Sequence, residues 1–346
     1  MRGVRRTKKQ RRTTYYYLVL TTGKKRTCKP TGMVSRLQGV GYRDAVLLGP
    51  EKLVITQRPE RIDCCYNSAT LPVVPNRPSE RSDMVRLGGT ATANHMEVFE
   101  GLEKLFRRRG IDLDWVLYSG YDNMVDAFVK GEIDLAWNGP LSYVKIKRLA
   151  ANGVRVIAMR DADINFTTHF ITHADSGIDT VEDLKDRSFA FGWRSSVQAG
   201  LLAFSFLKDS GINPSKDLSA NSFYDDRQPD SKSDERDVVE RVASGEFDAG
   251  AVSQRVMETM AEDGTLPRDA VRIFWSSPGY SHCCFTSQND LDSELAAEIE
   301  SAFLSVTDED PIGKAVLEGE ACRSFVPGTD IGWEMIEKAA EAEGLI

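Results

Sequence analysis

The sequence predicts an α/β protein built from two similar lobes, and two observations carry this prediction. From Val85 onward, short apolar runs alternate with amphipathic helical patterns over short connections, which is typical of an α/β fold with largely parallel sheets. The stretch YDNMVDAFVKGEIDLAWNGP at 121–140 is echoed by ERDVVERVASGEFDAGAVSQ at 235–254. Each copy is a helical pattern, a glycine turn and a small buried strand. This repeat indicates two lobes of like construction, with chance similarity of two common units as the alternative.

The elements follow in a regular order from the first strand at 85–89. Apolar residues at helical spacing from Met96 predict a helix that ends near Gly110, because glycine favours a helix C-terminus. A helix from Pro140 is favoured because proline lacks only an N–H that the first helical turn does not use. The other predicted elements are strands at 113–117, 133–137, 154–159, 168–172, 188–191, 220–224 and 271–275, helices at 121–130, 180–184, 197–208 and 235–244, and helices from Leu291, Pro311 and Ile331.

Charge divides the chain into two regions. Residues 1–82 contain 18 Lys and Arg against 5 Asp and Glu, a net charge of +13, whereas the rest carries 26 basic and 47 acidic side chains, a net charge of −21. We expect the first region to be a basic, disordered extension, with Met84 as an alternative start of translation. Its Lys and Arg could attract phosphate, but no aromatic-basic motif accompanies them, so no nucleic-acid partner is expected.

Other classes of function lack their sequence signals. No run approaches the roughly 20 apolar residues that span a bilayer, and YYYLVL at 15–20 is short for the apolar core of a signal peptide. The six cysteines have no spacing typical of zinc, and no glycine motif for a nucleotide occurs, so neither a metal nor a cofactor is expected. Ser195 with His169 or His282 would make a formal catalytic triad, yet no nucleophile-elbow motif supports one.

Three strand-to-helix junctions are candidates for binding a small oxyanion. Backbone N–H groups and the positive end of a helix dipole lie at such junctions, and hydroxyl groups add further donors. Any one of them alone is also typical of an ordinary helix N-cap. The junctions are Thr90-Ala91-Thr92, Asn138-Gly139-Pro140 and Arg194-Ser195-Ser196.

The repeat adds further candidates. Tyr121 and Glu235 take equivalent positions at the start of the two repeated helices, and Asp134 aligns with Asp248. Tyr121 could donate a hydrogen bond to a ligand oxygen or stack on an organic tail. Glu235 and Asp248 could accept from a cationic or hydroxyl group, or they could be a solvated helix-start charge and a strand-end cap.

Taken together, five stretches resemble a known family. They are YDNMVDAFVKGEIDLAWNGPLSYV from 121, DSGIDTVEDLKDRSFAFG from 175, RSSVQAG from 194, SDERDVVERVASGEFDAGAV from 233 and WSSPGYSHCCFTS from 275. Their order and spacing are similar to those of the phosphate, phosphite and phosphonate substrate-binding proteins of ABC transporters. The resemblance covers about residues 84–342.

The resemblance implies a type 2 periplasmic-binding-protein fold, with two α/β lobes and a ligand cleft between them. Lobe 1 would comprise residues 84–170 and 276–346, and lobe 2 residues 171–275. The implied protein is not an enzyme but a solute-binding component, a monomer that delivers a phosphonate, phosphite or phosphate to an ABC permease. Family members are periplasmic or extracellular, whereas a convincing signal peptide is lacking, so a cytoplasmic enzyme or ligand sensor on the same fold is the alternative.

The resemblance also implies roles for individual residues. Tyr121 matches the tyrosine of the family's Tyr-x-x-x-Val helix, and Thr167 or Thr168 lies near a crossover-strand ligand contact. Glu235 and Asp248 match acidic partners. The hydroxyl-rich anion loop corresponds to Ser195, Ser196 and Gln198, although Val197 replaces a threonine that many members have there.

Overall fold

The chain forms two compact units, each built around one β-sheet. The structure, a computed structural model, describes residues 84–227, 233–266 and 269–346, so the extension predicted at 1–82 lies outside it. Unit 1 contains the described residues up to Asp161 and Cys283–Thr329, and unit 2 contains Ala162–His282 and Asp330–Ile346. The strands are β1 (Met84–Thr90), β2 (Asp112–Tyr118), β3 (Leu135–Asn138), β4 (Val154–Arg160), β5 (Thr168–His173), β6 (Ser188–Ala190), β7 (Ala220–Ser222), β8 (Ala249–Ser253), β9 (Val271–Ser276), β10 (Cys284–Gln288) and β11 (Phe325–Pro327).

The helices cover the sheets, and two of them differ from the prediction. The helix Gln254–Glu262 was not predicted, and the helix predicted at 180–184 is only a 3₁₀ turn at Glu182–Leu184. None of those in the described ranges is both long enough and apolar enough to cross a membrane. They are α1 (Ala93–Arg108), α2 (Tyr121–Val129), α3 (Pro140–Leu149), α4 (Leu202–Asp209), α5 (Asp234–Ala243), α6 (Gln254–Glu262), α7 (Ser293–Leu304), α8 (Pro311–Gly319) and α9 (Glu334–Ala342).

The sheet of unit 1 has helices on both faces. Its strand order is β11-β4-β10-β3-β1-β2, and Leu87 of β1 pairs in register with Trp115 of β2 and Leu135 of β3. These three side chains share one core with α1, α7 and α8, as alternation along a strand requires. The residues between them face the opposite core, where Val116 and Ala136 pack with α2 and α3. Burial on both faces explains why these strands are nearly continuous apolar runs.

The sheet of unit 2 repeats the order of unit 1. Its strands run β7-β6-β8-β5-β9, which matches β2-β1-β3-β10-β4 one for one. In both sheets the first three strands are parallel and the fourth is antiparallel to its neighbours. The prediction of two α/β lobes is confirmed, but the sheets are mixed rather than largely parallel. The antiparallel strands β5 and β10 each follow the point where the chain changes unit, so no βαβ crossover constrains their direction.

The repeated helices α2 and α5 end in the same way. Gly131 and Gly245, which the repeat aligned, both have left-handed backbone conformations, with φ of 69° and 74°. Such conformations are costly for residues with a Cβ, which explains the glycine in each copy.

The units differ in their boundaries from the predicted lobes. The chain changes unit at Asp161 and His282 rather than at 170 and 276, and α9 belongs to unit 2 rather than to lobe 1. α9 lies beside α4, where Lys338 forms an exposed ion pair with Asp209 at 2.9 Å. Trp333, just before α9, is fully buried, so apolar burial supports the same docking.

Candidate ligand-binding residues

In unit 1, Thr90 and Ala91 form the turn from β1 into α1. The Ala91 N–H donates to the Tyr118 carbonyl at 2.8 Å, which extends the parallel pairing of β1 and β2 by one residue. Thr92 is the N-cap of α1, and its hydroxyl accepts from the His95 N–H at 3.1 Å. The turn is therefore fixed at the carboxyl edge of the parallel strands, where α/β folds place ligands.

His95 holds this turn in place, a role that sequence reasoning missed. Its Nε2 accepts from the Trp137 Nε1–H at 3.1 Å, so in the neutral ring Nδ1 carries the proton and donates to the Thr90 carbonyl at 2.6 Å. Burial lowers the pKa of His95, and the positive charge of Arg160 lowers it further, whereas the bond to Thr90 opposes this. The ring is therefore neutral at neutral pH. A histidine in the first turn of a helix gives no sequence signal of this role.

The hydroxyl group of Tyr121 lies between Thr90 and Gly139. Although 41% of Tyr121 is exposed, its hydroxyl is hydrogen-bonded to the Thr90 side chain. The oxygen would also lie 3.2 Å from a Cβ at Gly139. Burial of the Tyr121 hydroxyl raises its pKa, and the Cys283 side chain raises it further. The hydrogen bond with Thr90 and the positive charge of Arg160 lower the pKa and so oppose this rise. Tyr121 is therefore a neutral hydroxyl at neutral pH.

Gly139 begins α3 at the end of β3. Its carbonyl accepts from the Tyr143 N–H at 3.1 Å and from the Ser142 hydroxyl at 2.8 Å, and Pro140 takes the first helical position. The first turn of a helix has no intrahelical acceptors for its N–H groups, so they are donors at this edge. Unit 1 thus brings Thr90, Tyr121 and Gly139 together.

Asn138 serves a different purpose from its neighbour. It is fully buried, and its amide Nδ2 donates to the Thr286 hydroxyl at 2.8 Å and to the Ala136 carbonyl at 3.2 Å. Asn138 therefore ties β3 to β10 inside the sheet.

In unit 2, the predicted anion loop leads into a distorted helical turn. Val197–Leu201 has the wider π-helical pattern before α4 begins, where a continuous α-helix was predicted. Ser196 caps it, since its hydroxyl accepts from the Ala199 N–H at 3.3 Å. Ser195 is exposed. The loop approaches the helix closely, because a Cβ at Gly200 would lie 2.2 Å from the Trp193 carbonyl oxygen.

The two candidate threonines have different roles. Thr168 is fully buried at the start of β5, and its hydroxyl donates to the Gln198 carbonyl at 2.9 Å. Thr167 is half-buried, and its hydroxyl donates to Gln254 Oε1 at 3.0 Å. Thr168 therefore anchors the loop, and Thr167 is the more accessible hydroxyl.

Glu235 is buried among donors of its own unit. Its Oε1 accepts from Gln198 Nε2 at 2.8 Å, and its Oε2 accepts from the Ser253 N–H and hydroxyl, each at 2.5 Å. Burial raises the pKa of Glu235, and the bonds from Ser253 and Gln198 oppose this rise only in part. The carboxyl group thus joins the loop to the N-terminus of α6, where Ser253 is the N-cap.

The structure does not bring Asp248 together with Glu235. Asp248 precedes β8, whereas Ser253, the partner of Glu235, ends that strand. Its Oδ2 accepts from the Ser188 N–H at 2.8 Å and hydroxyl at 2.7 Å. Burial would raise the pKa of Asp248, but the bonds from Ser188 and the charge of Arg187 outweigh it and lower the pKa. Asp248 therefore joins β8 to β6, the strand-end cap that was the alternative interpretation.

Arg194 is engaged within unit 2. Its guanidinium pairs with the Asp226 carboxylate and lies 4.1 Å over the Phe223 ring, and its N–H donates to Asp225. These contacts engage the planar face and one terminal nitrogen of the guanidinium, which are features that an arginine uses to clamp an oxyanion.

With this geometry established, known proteins give a consistent comparison. Residues 92–333, more than half of the chain, match the family described as ABC transporter, phosphonate, periplasmic substrate-binding protein. The chain belongs to this family. Its members are substrate-binding proteins of ABC transporters and not enzymes, which rules out the enzyme alternative.

Two curated relatives carry related names. The probable ABC transporter phosphite binding protein PhnD1 of Prochlorococcus marinus strain MIT 9301 is 24% identical over 68% of this chain and 80% of its own length. The phosphate-import protein PhnD of Mycolicibacterium smegmatis is 22% identical over 70% of this chain and 79% of its own length.

Solved structures confirm the fold. The Prochlorococcus marinus PhnD1 structure in complex with methylphosphonate has a TM-score of 0.59 and 21% identity, and the match covers 76% of this chain and 99% of that one. A Xanthomonas citri protein with bound chloride also has a TM-score of 0.59, at 16% identity, with coverage of 77% and 100%. The predicted type 2 periplasmic-binding-protein fold, with two α/β lobes, is therefore confirmed.

Proposed function

We propose that this protein is the solute-binding component of an ABC-type importer and binds a phosphonate, phosphite or phosphate-like oxyanion. One observation carries the proposal: the hydroxyls of Thr90 and Tyr121 and the first turn of α3 after Gly139 meet at the carboxyl edge of β1 and β3. Uncharged donors and a helix N-terminus are the groups with which proteins bind small oxyanions. The names of the relatives support the same ligand class.

The charge of the chain fits this kind of site. Residues 83–346 have a net charge of −21, so a general attraction of anions to the surface is not expected. Fixed N–H dipoles act over short distances and do not need a cationic surface. The raised pKa of Tyr121 keeps its hydroxyl proton available for donation at neutral pH.

In unit 2 the proposed ligand contacts are Ser195, Ser196 and Thr167. Ser195 is exposed, and Ser196 and Thr167 are half-buried, so their hydroxyls are accessible to an anion. Gln198, Thr168 and Glu235 hold the loop that presents them. How the two units enclose a ligand remains the prediction drawn from the family resemblance.

The test is binding of phosphate, phosphite, methylphosphonate and aminoethylphosphonate, measured by thermal shift and calorimetry with sulfate for comparison. A ligand at about 100 times its dissociation constant should stabilise the protein by about 2.7 kcal/mol. Absence of stabilisation by all four would refute the proposal.

A matched pair of double variants tests the loop. Ser195→Ala with Ser196→Ala should weaken binding by about 100-fold or more, because each of the two hydroxyl bonds to a charged group contributes about 1.5–3 kcal/mol. Ser215→Ala with Ser219→Ala changes two exposed serines of the same unit and should leave binding unchanged. Equal affinity of both double variants would exclude the loop from the site.

A monomer that presents its ligand to a permease is also part of the proposal. Sedimentation equilibrium with and without ligand should give the mass of one chain, and a stable dimer would contradict that element alone.

A further inference from the structure

The side-chain carboxamide of Gln198 is held from both sides by titratable groups of unit 2. On one side Gln198 Nε2 donates to Glu235 Oε1 at 2.8 Å. On the other side Gln198 Oε1 lies 3.1 Å from Nε2 of His282, whose Nδ1 lies 3.1 Å from Oδ1 of the fully buried Asp163. The His282 ring also stacks on Phe166 at 4.1 Å, which fixes its plane. The result is a continuous chain Asp163–His282–Gln198–Glu235.

The protons of this chain can be counted. A carboxamide has one acceptor atom and one donor atom, so its two ends require opposite partners. With Glu235 ionised, Gln198 turns its NH₂ to Glu235 and its oxygen to His282, which must then donate from Nε2. Asp163 also requires a proton on Nδ1, so in this state His282 is an imidazolium. If the imidazole is neutral, it keeps Nδ1–H and its Nε2 becomes an acceptor.

One proton therefore satisfies the chain in either of two positions. With a neutral His282, the carboxamide turns over, its NH₂ donates to His282, and its oxygen requires a protonated Glu235. When both His282 and Glu235 have lost the proton, two acceptors compete for one NH₂ group, and one hydrogen bond is lost. A broken bond in such a buried network costs more than an exposed one.

We propose that Asp163, His282 and Glu235 are positioning residues that share one proton across Gln198 and thereby order the loop from Ser195 to Gln198 for ligand binding. This inference rests on the proposed function, because it concerns the same loop. It adds His282 and Asp163, neither of which was a predicted ligand-binding residue.

The connection from the carboxamide to the loop is short. The main-chain carbonyl of Gln198 accepts from the Thr168 hydroxyl at 2.9 Å, and the Tyr280 hydroxyl lies 2.9 Å from the same Thr168 oxygen. Two residues before Gln198, Ser196 caps the turn. Gln198 is thus held at both its side chain and its main chain, two residues from the capping hydroxyl.

Other titratable groups face this chain and belong to its electrostatics. Asp234 on α5 raises the pKa of Glu235, in addition to the effect of burial. The phenol of Tyr280 shares Thr168 with the loop, and the thiol of Cys283 follows His282 in the sequence.

The test measures methylphosphonate and inorganic phosphate affinity from about pH 5.5 to about pH 9, a range that includes histidine titration. Because the ligands titrate too, the informative quantity is the ratio of wild-type to variant affinity at each pH. Between Asp163 and Gln198, His282→Gln offers one donor and one acceptor at every pH, as a neutral imidazole does, and it cannot take up the shared proton. We expect it to bind about tenfold more weakly than wild type at low pH, equivalent to about 1.4 kcal/mol, and equally at high pH.

The matched control is His173→Gln, at the far end of β5, where the ring accepts from the nearby Asp175 N–H at 3.2 Å. Its affinity should follow wild type at every pH. A His282→Gln affinity ratio that is constant with pH, or equal to that of His173→Gln, would overturn the positioning role.

A measurement without ligand separates this inference from the proposed function. Long-range ¹H–¹⁵N spectra should show both ring nitrogens of His282 protonated at low pH, and the Gln198 NH₂ signals should shift with the same midpoint as that ring. Gln198 signals independent of His282 would refute the shared proton even if oxyanions bind normally. Failure of wild-type protein to bind any oxyanion, with the coupled titration intact, would instead refute the proposed function and with it the role of the chain in binding.

Discussion

Units 1 and 2 share the same arrangement of parallel strands, but the side chains at the carboxyl ends of those strands differ between the two units. In each unit, an aspartate before the third parallel strand accepts a backbone N–H from the first: Asp134 accepts from Arg86 at 2.9 Å, and Asp248 from Ser188 at 2.8 Å. At the opposite ends of the same strands the two units diverge.

The two units differ at one pair of residues in each unit. In both pairs the two residues lie 18 positions apart in the sequence. Tyr121 lies against Gly139, the N-cap of α3, and Glu235 binds Ser253, the N-cap of α6. In unit 1 the helix start faces a neutral hydroxyl. In unit 2 the corresponding helix start already has a carboxylate of its own. This difference favours the N-terminus of α3 over that of α6 as the proposed site for a ligand anion, because the carboxyl group of Glu235 already accepts the Ser253 N–H and hydroxyl at the start of α6.

The largest expected effect on ligand affinity comes from placing a larger side chain at the N-cap of α3 in unit 1. A Cβ at Gly139 would lie 3.2 Å from the Tyr121 ring and hydroxyl, so Gly139→Val should weaken methylphosphonate binding by at least about 30-fold, or about 2 kcal/mol. Gly120→Val is the control, since a Cβ at this other N-cap glycine meets nothing within 4 Å. Comparable losses in calorimetry for both variants would contradict the role given to Gly139.

The second test concerns the occupied helix start of unit 2. Glu235→Gln should lower the free energy of unfolding by about 2 kcal/mol at mildly acidic pH, because its oxygen is needed at Ser253 and its NH₂ would then face the NH₂ of Gln198, which must turn over to accept from it. The control is Glu240→Gln, an exposed position on the same helix.

The same variant has a defined pH dependence. The pKa of Glu235 is raised by burial, so the folded protein binds this proton more tightly than the unfolded chain does. The stability that Glu235 contributes to the wild-type protein is therefore fully present below the ordinary pKa of a glutamate. It is lost as the pH rises through the raised pKa that Glu235 has in the folded protein. Urea unfolding should show the difference between wild type and Glu235→Gln shrinking over that window. A difference that grows with pH would show the opposite pKa shift.

The shared framework is tested by a matched pair. Asp134→Ala and Asp248→Ala should each lower the free energy of unfolding by about 1–2 kcal/mol, because each removes the acceptor of a strand N–H. Asp126→Ala removes an exposed carboxylate paired with Lys130 at 3.7 Å and should cost under about 1 kcal/mol. If Asp248→Ala alone lowered ligand affinity and left stability unchanged, Asp248 would be a ligand-binding residue after all.

The smallest expected effect comes from one oxygen atom. Tyr121→Phe should weaken oxyanion binding by about fivefold and leave thermal stability nearly unchanged, because 41% of the residue is exposed. Tyr118→Phe, a change of a buried tyrosine on β2, should instead affect stability and not affinity. A reversed pattern would place the ligand elsewhere.

The sequence by itself determined the alternation of strands and helices, the two-lobe plan and the family. Those properties are local or periodic: the apolar spacing of Met124, Val125 and Phe128 specifies a buried helix face, and Gly131 and Gly245 specify left-handed turns. Extending the alignment by the same offset would also have paired Gly139 with Ser253.

Only the tertiary structure decided which candidate side chains are accessible. Glu235 and Asp248 have the same charge and lie 13 residues apart in the repeat, yet β8 separates them and each is engaged by a different neighbour. His95 and His282 gained roles from partners distant in sequence, Trp137 and Gln198. Hydrogen bonding and burial depend on groups that the fold brings together, and no spacing along the chain records them.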